Sequence, residues 1–216
     1  MFQTSTNVRN VLFILYAVPL SSMKSFEDAV KFHGHSCGGL AMGYKLAEYV
    51  TKLLDVTFSE DEELVCIAET DSCTVDAIQV FLGCTAGKGN LFVNKWGKTA
   101  FSFYNRKTGK SVRLVAIPDA VPKPKEMNEL RGVVFSGKAT EEQHARYDEL
   151  SDEYVEKILA ADAEKLFEVK DTVELLPMKA RMYGNVICSV CGEQTADGLC
   201  AEIDGKLVCI PCMRRI

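Results

Sequence analysis

The chain contains 216 residues, of which 47% are hydrophobic, 25% are charged and 9% are aromatic, and this composition excludes a largely disordered protein. The net charge of -5 argues against general nucleic-acid binding, which usually requires a basic surface. Nine cysteines stand against three histidines. The odd cysteine count and two CxxC pairs favour thiolate metal ligands in a reducing compartment over disulfides, so we expect a cytoplasmic protein.

The N-terminus carries an apolar run over residues 11–20. The run is too short to cross a membrane, because a spanning helix needs about 20 apolar residues. Residues 1–22 are therefore interpreted as an N-terminal extension, and no membrane association is predicted. Three explanations of this extension stay open: a signal-like segment, an additional structural segment, or a wrongly assigned start with Met23 as the native first residue.

Three helices are predicted next along the chain. Ser25, followed three residues later by Asp28, forms a capping box and predicts a short helix that ends at Gly34. Apolar residues at helical spacing predict a second helix over residues 38–54. A third helix is predicted over residues 74–82, directly before a glycine.

Four strands are predicted around and after the third helix. Residues 64–68 are continuously apolar, which indicates a buried strand, and residues 90–93 predict a second strand. Residues 100–107 and 111–117 predict a hairpin, because Gly109 between them can adopt the positive φ that a tight turn needs.

The second half of the chain completes the core and adds a small domain. After a proline-containing loop, another capping box predicts a long helix over residues 140–161. Residues 167–176 predict a last strand, and residues 177–185 indicate a flexible linker. The predicted fold class is α+β: a mixed α+β core domain over residues 23–176, followed by a small four-cysteine zinc-finger domain over residues 186–216.

Four C-terminal cysteines predict a structural zinc site. They form two CxxC pairs that flank seventeen residues: Cys188, Cys191, Cys209 and Cys212. A CxxC pair lets two sulfurs reach one ion at about 2.3 Å, and four thiolates leave no open position for chemistry. Because so short a segment buries little apolar surface, the metal is expected to supply its folding energy. Cys200 lies between the pairs and is not expected to be a ligand.

A second concentration of metal-ligating residues lies near the N-terminus. His33, His35 and Cys37 fall within five residues, among glycines that allow a tight backbone path. Cys37 precedes one predicted helix and Cys73 precedes another, and helix N-termini stabilise thiolates. His35, Cys37 and Cys73 are therefore predicted to hold a second transition metal, which zinc would suit, with an open fourth position. The alternatives are a core role for His33, and buried capping roles for the two cysteines.

The loop after the third predicted helix is a weaker candidate. Cys84 is followed by a short glycine-rich stretch that contains Lys88. The stretch lacks the spacing of a Walker motif, but Lys88 and backbone amides would suit an anion. Cys66 lies within a predicted strand and is interpreted as a core residue.

These segments together resemble the FmdE family, named for one of the subunits of formylmethanofuran dehydrogenase. The resemblance covers residues 23–169 and is carried by four stretches, residues 32–40, 69–79, 83–91 and 97–104. It implies an α+β core, a tightly intertwined homodimer and a His/Cys metal site. It also implies His35, Cys37 and Cys73 as the functional or catalytic groups, with Asp71, Cys84 and Lys88 as ligand-binding neighbours. Gly38 and Leu82 depart from the residues usual in the family, Pro and Thr, without removing a ligand.

The resemblance leaves two functions open. One is a metal-binding accessory of a molybdenum or tungsten enzyme, or an FmdE-related protein; any enzymatic role would be that of a formylmethanofuran dehydrogenase-related oxidoreductase component. The other is a regulatory or metal-sensing protein that uses the finger for contacts. The finger resembles the DksA/TraR-type C4 zinc finger over about thirty residues. It carries three basic against four acidic side chains, which favours a protein partner over nucleic acid.

Overall fold

A computed structural model describes residues 24–215, so the predicted N-terminal extension lies outside the described part of the chain. The described residues form seven α-helices: α1 (Phe26–His33), α2 (Gly38–Leu54), α3 (Thr74–Leu82), α4 (Lys125–Phe135), α5 (Glu141–Ala160), α6 (Ala163–Leu166) and α7 (Ile210–Met213). Their strands are β1 (Leu64–Ala68), β2 (Leu91–Val93), β3 (Ala100–Asn105), β4 (Ser111–Ala116), β5 (Phe167–Lys170), β6 (Asn185–Ile187), β7 (Gln194–Ala196), β8 (Cys200–Ile203) and β9 (Lys206–Cys209). The predicted α+β class is confirmed. Between residues 24 and 215, no helix combines the length and the apolar character that a membrane crossing requires.

The core is a five-stranded mixed sheet with the strand order β2-β1-β3-β4-β5. β1 and β2 are parallel and are connected through α3, whereas the other pairs are antiparallel. Alternate residues of the strands point to opposite faces of the sheet. One face packs on the helices through fully buried side chains such as Leu64, Phe101 and Leu114, and this packing forms the main hydrophobic core.

The opposite face of the sheet carries a smaller cluster of buried residues, Val65, Ile67 and Tyr104. It is crossed by residues 171–184, which we call the strap. The hydroxyl of Tyr104 donates to the carbonyl of Glu174 at 2.6 Å, and further along the strap the N–H of Ala180 donates to the carboxylate of Glu62 at 3.1 Å. The segment predicted as a flexible linker is therefore hydrogen-bonded to the core.

Local sequence signals set the ends of the helices around the site. The backbone N–H of Ser25 donates to the Asp28 carboxylate at 2.9 Å, as the capping box predicts. Gly34 ends α1 at a φ of 95°, a left-handed conformation that favours glycine. Cys37 caps α2, because its sulfur accepts the N–H of Leu40 at 3.4 Å.

α4 and the last core strand differ most from the prediction. Residues 125–135 form α4, an element that the sequence pattern did not predict; Met127 is the one buried residue of this helix, so its apolar pattern is weak. The last core strand ends at Lys170 instead of residue 176, because the chain leaves the sheet there and enters the strap. The C-terminal segment forms two hairpins, β6–β7 and β8–β9, followed by α7.

Candidate metal centres and the adjoining cleft

The four C-terminal cysteines converge on one point. All four sulfurs of Cys188, Cys191, Cys209 and Cys212 lie within 4.8 Å of one another, and the sulfurs of Cys191 and Cys209 are 3.9 Å apart. A tetrahedral zinc with Zn–S bonds near 2.3 Å requires sulfur separations of about 3.8 Å. The donor set and its geometry therefore fit a closed four-thiolate metal site.

Backbone geometry prepares this cluster for a cation. N–H groups of Cys209, Cys191 and Val190 point towards the sulfur of Cys188 and lower the pKa of this thiol to about 6. Conversely, hydrogen bonding with Cys209 and burial raise the pKa of Cys212 to about 12. Cys200 lies outside the cluster, with its sulfur 3.5 Å from the carbonyl of Ala196, in agreement with its predicted role as a non-ligand.

The N-terminal group of candidate ligands also converges. Ligand atoms of His33, His35 and Cys37 lie within 4.8 Å of one another. Nε2 of His33 is 3.9 Å from the sulfur of Cys37, and the two imidazole rings are 4.5 Å apart between centroids. Two imidazoles and one thiolate suit zinc or a related transition metal.

A carboxylate from a distant helix orients His33. Nδ1 of His33 is 2.7 Å from Oδ2 of Asp76 in α3, and the side-chain amide of Gln79 donates to Oδ1 of Asp76 at 3.0 Å. Because a carboxylate only accepts, Nδ1 carries a proton, and in the neutral ring Nε2 then has its lone pair available towards Cys37. This arrangement is the carboxylate–histidine pairing typical of metal ligands in proteins.

Cys73 was predicted as the third ligand beside His35 and Cys37, but the third member of the convergent group is His33. Cys73 lies beside this group. A Cβ atom built on Gly39 would be 3.8 Å from the sulfur of Cys73 and 4.0 Å from that of Cys37, so the two sulfurs flank one point. Burial and the neighbouring Cys37 raise the pKa of Cys73 to about 11. The helix N-terminus therefore does not offset these two effects at Cys73, and deprotonation of this thiol would accompany metal binding.

An ion pair between Glu69 and Arg113 fixes the β1–α3 loop, which carries Cys73. Glu69, directly after β1, receives two hydrogen bonds from the guanidinium of Arg113 at 2.7 and 3.0 Å. Both side chains are largely buried. Such a bidentate pair positions a loop more strictly than a single hydrogen bond.

Two of the three expected neighbours lie away from the candidate core ligands, and the third has another partner. Asp71 is exposed and pairs with Lys95 at 3.0 Å. Cys84 is fully buried, with its sulfur 3.5 Å from the carbonyl of Leu64, and burial raises its pKa to about 12. Lys88 donates to the carbonyl of Ser59 at 2.6 Å.

The reason for this separation is topological. α3 begins beyond the carboxyl end of β1 and returns along the strand, so the residues after α3 lie at the opposite end of β1. Nine helical residues correspond to about 13 Å. Cys84 and Lys88 therefore cannot share a site with Cys73, and Lys88 bonds to the carbonyl of Ser59 instead.

A cleft of about 950 Å³ opens beside the core ligands. His35, Cys37 and Cys73 lie on its inner wall, while its outer wall is built from α4, α5 and the loop after β4. An ion held by the core ligands would therefore face a space large enough for a small organic molecule.

The sequence pattern did not indicate Asp76 and left the role of His33 undecided. Asp76 lies three residues after Cys73, so the two share one face of α3, and this spacing was the available signal. The residue of α3 that contacts His33 depends on how α1 and α3 pack, which the sequence pattern did not show.

Several known proteins are similar to this chain. Residues 32–168 match the family model described as FmdE, Molybdenum formylmethanofuran dehydrogenase operon. A protein of Archaeoglobus fulgidus named probable S-adenosyl-L-methionine-binding protein is 32% identical over 191 residues, which cover 82% of this chain and 52% of that protein. The chain thus spans about half the length of this curated relative.

A solved structure is also similar. It is described as a tungsten formylmethanofuran dehydrogenase FmdE-like protein from Syntrophus aciditrophicus, with 26% sequence identity and a TM-score of 0.53. The match covers 88% of this chain and 92% of that chain. The likeness therefore extends over nearly the whole length of both proteins.

Proposed function

This chain belongs to the FmdE family, and from that premise we propose that it is a metal-binding protein whose core site presents a transition metal to a ligand cleft. The ligands are His33, His35 and Cys37, with Cys73 beside them. The observation that carries the proposal is the convergence of His33, His35 and Cys37, of which the last two line the cleft together with Cys73. The contact of Asp76 with His33 supports it. A bound zinc-like ion would supply a Lewis-acidic centre with a free coordination position.

The second metal of the proposal is a structural zinc in the C-terminal segment. The four-sulfur cluster supports a closed site of the DksA/TraR finger type, held by Cys188, Cys191, Cys209 and Cys212. All nine cysteines are free thiols, which accords with a reducing compartment such as the cytoplasm. The domain boundaries that we propose are residues 24–170 for the core and 185–215 for the finger, joined by the strap.

The physiological role that we propose is that of an accessory or FmdE-related component of a molybdenum or tungsten enzyme, in line with the family description. The name of the Archaeoglobus relative makes S-adenosyl-L-methionine a candidate ligand of this chain. Equilibrium dialysis of the metal-loaded protein against this compound tests that candidate directly. Binding that is unchanged in a Cys37→Ser, Cys73→Ser double variant would place the compound elsewhere.

Metal analysis of the purified full chain tests the central proposal. We expect two metal ions per wild-type chain, one in the Cys37→Ser, Cys73→Ser variant, and one in Cys209→Ser. Cys200→Ser is the matched control and should keep both ions, since its sulfur faces a carbonyl outside the cluster. A Cys37→Ser, Cys73→Ser variant that retained two ions would refute the core site.

A regulatory or interaction role is a second candidate, and the strap favours it. Val173 and Leu175 are 84% and 91% exposed, and Met182 is fully exposed. Exposed apolar side chains concentrated in one segment support a contact role for that segment. We propose that a second copy of the chain covers them in a homodimer, which light scattering would detect as a mass of about twice 23.9 kDa. A mass near 23.9 kDa at micromolar concentration would refute the dimer.

A further inference from the structure

The cleft beside the core ligands has two walls of unlike chemistry. Imidazole and sulfur line the inner wall at His35, Cys37 and Cys73, whereas cationic and aromatic side chains line the outer wall. A site that bound only a metal ion would need no outer wall of this kind. The composition of the outer wall therefore carries information about the ligand.

Two cations on the outer wall have no acidic partner within residues 24–215. Nζ of Lys123 lies 5.9 Å above the ring of Tyr154, and the guanidinium of Arg131 lies 5.8 Å from the ring of Phe135. Asp119 is the one carboxylate among the residues that line the cleft. In a chain with a net charge of -5, this local excess of positive charge favours an anionic ligand.

The outer wall also exposes aromatic surface. Phe135 is 73% exposed, and its ring meets that of Tyr147 edge to face at 6.0 Å between centroids. A large aromatic side chain at the mouth of a cleft, with a guanidinium beside its ring, suits a flat ligand that stacks on it.

We propose that this cleft binds a flat heteroaromatic anion of mononucleotide size. Its phosphate or carboxylate pairs with Arg131 and Lys123, its ring rests against Phe135, and its other end points towards the core metal. The volume of about 950 Å³ lies at the upper end of the range of small-molecule sites. The inference rests on the proposed function for the identity of the inner wall, but its anion-binding half stands on the outer wall alone.

Calorimetry on the zinc-loaded full chain tests the proposal with three probes. AMP carries a phosphate, kynurenate carries a carboxylate on a flat bicyclic ring, and adenosine is the uncharged counterpart of AMP. We expect at least one of the two anions to bind with a Kd below about 100 µM, and adenosine to bind at least about tenfold more weakly than AMP. Failure of both anions to bind at about 1 mM overturns the proposal.

Charge removal locates the anion. The double variant Lys123→Gln, Arg131→Gln should lose about tenfold or more in affinity for the bound anion, because both charge-assisted contacts disappear. Arg181→Gln removes a matched exposed arginine that does not line the cleft and should bind as wild type does. Equal affinities of the double variant and wild type would overturn the assignment.

The metal content of the same samples separates the two proposals. Anion binding by a chain that takes up no core metal would contradict the proposed function and support the anion site. A fully metal-loaded chain that binds neither anion would support the proposed function and overturn the anion site.

Discussion

At the scale of single residues, His33 shows how a distant partner assigns a chemical role. Asp76 lies 43 residues further along the chain and fixes which ring nitrogen faces Cys37. Glu69 and Arg113, 44 residues apart, hold the loop of Cys73 in the same way. The proposed chemistry of the core site therefore depends on partners that are not themselves candidate ligands.

Asp76→Asn tests this dependence. The variant keeps the shape of the side chain but loses its negative charge. In the wild type this charge holds Nδ1–H of His33 and makes Nε2 more basic. We expect the affinity of the core site for zinc to fall about 10- to 100-fold, measured by competition with a chromogenic chelator. Asp71→Asn is the control, because Asp71 is exposed and pairs with Lys95. An equal loss in both variants would contradict the positioning role.

Glu63 provides a prediction on pH dependence. Its carboxylate accepts the N–H of Asp61 and the hydroxyl of Ser59, both at 2.9 Å, and these bonds lower its pKa from 4.5 to about 2. A carboxyl whose pKa is lower in the folded state stabilises the fold above pH 4.5 and loses that contribution as the pH falls towards 2. The difference in unfolding free energy between wild type and Glu63→Gln should therefore shrink over this interval.

Urea denaturation at a series of pH values measures this difference. Glu60→Gln on the same turn is the control, since the side chain of Glu60 makes no hydrogen bond or ion pair with residues 24–215. A difference for Glu63→Gln that stayed constant down to pH 2, or that followed the control, would be inconsistent with the lowered pKa.

At the scale of elements, the core site depends on the close packing of α2 on α3. A Cβ atom at Gly43 would lie 2.6 Å from Cβ of Ala77 and 2.7 Å from the carbonyl oxygen of Thr74. A Cβ atom at Gly39, one turn earlier in α2, would lie 3.2 Å from Cβ of Cys73. Two glycines on one face of α2 thus bring the two capping cysteines together.

Gly43→Ala should force these helices apart. We expect a loss of about 1–3 kcal/mol in unfolding free energy, because the added methyl group overfills a packed interface that includes backbone. Gly132→Ala in α4 has no atom within 4 Å of the new Cβ and should be neutral or stabilising by up to about 1 kcal/mol. Chemical denaturation measures the unfolding free energy of both variants. An unchanged unfolding free energy in Gly43→Ala would show that the interface between α2 and α3 can accommodate a methyl group.

At the scale of the whole molecule, the finger and the core are stabilised by different means. The core packs a sheet against helices, whereas the buried cluster of the C-terminal segment consists of Cys188, Val208, Cys209 and Cys212. With so little apolar surface, this segment is expected to depend on the proposed metal for folding. The strap attaches it to the sheet through side-chain and backbone hydrogen bonds.

Cys209→Ser is therefore expected to unfold residues 185–215 and to leave the core intact. Hydrogen exchange should show lost protection over those residues and unchanged protection over β1 and β3, together with the loss of one metal equivalent. Cys200→Ser should behave as wild type in both measurements. Loss of protection in β1 would show that the finger and the core fold as one unit.

The sequence alone determined the elements whose signals are local. The capping box at Ser25, the glycine at position 34 and the apolar run over residues 64–68 are such signals. The structure shows α1, α2, α3 and β1 at the bounds that the local patterns predicted. The CxxC spacing likewise predicted the four-cysteine cluster, because two chelating pairs need only a short hairpin to meet.

Only the tertiary structure decided which distant residues meet. The direction of α3 along β1 separated Cys84 and Lys88 from Cys73, and the packing of α1 on α3 brought Asp76 to His33. The tertiary structure also decided that the strap is hydrogen-bonded to the core, since the residues that make these contacts follow no repeat in the sequence. These outcomes arise from helix packing and chain direction, which depend on side chains far apart in the chain and leave no periodic pattern to recognise.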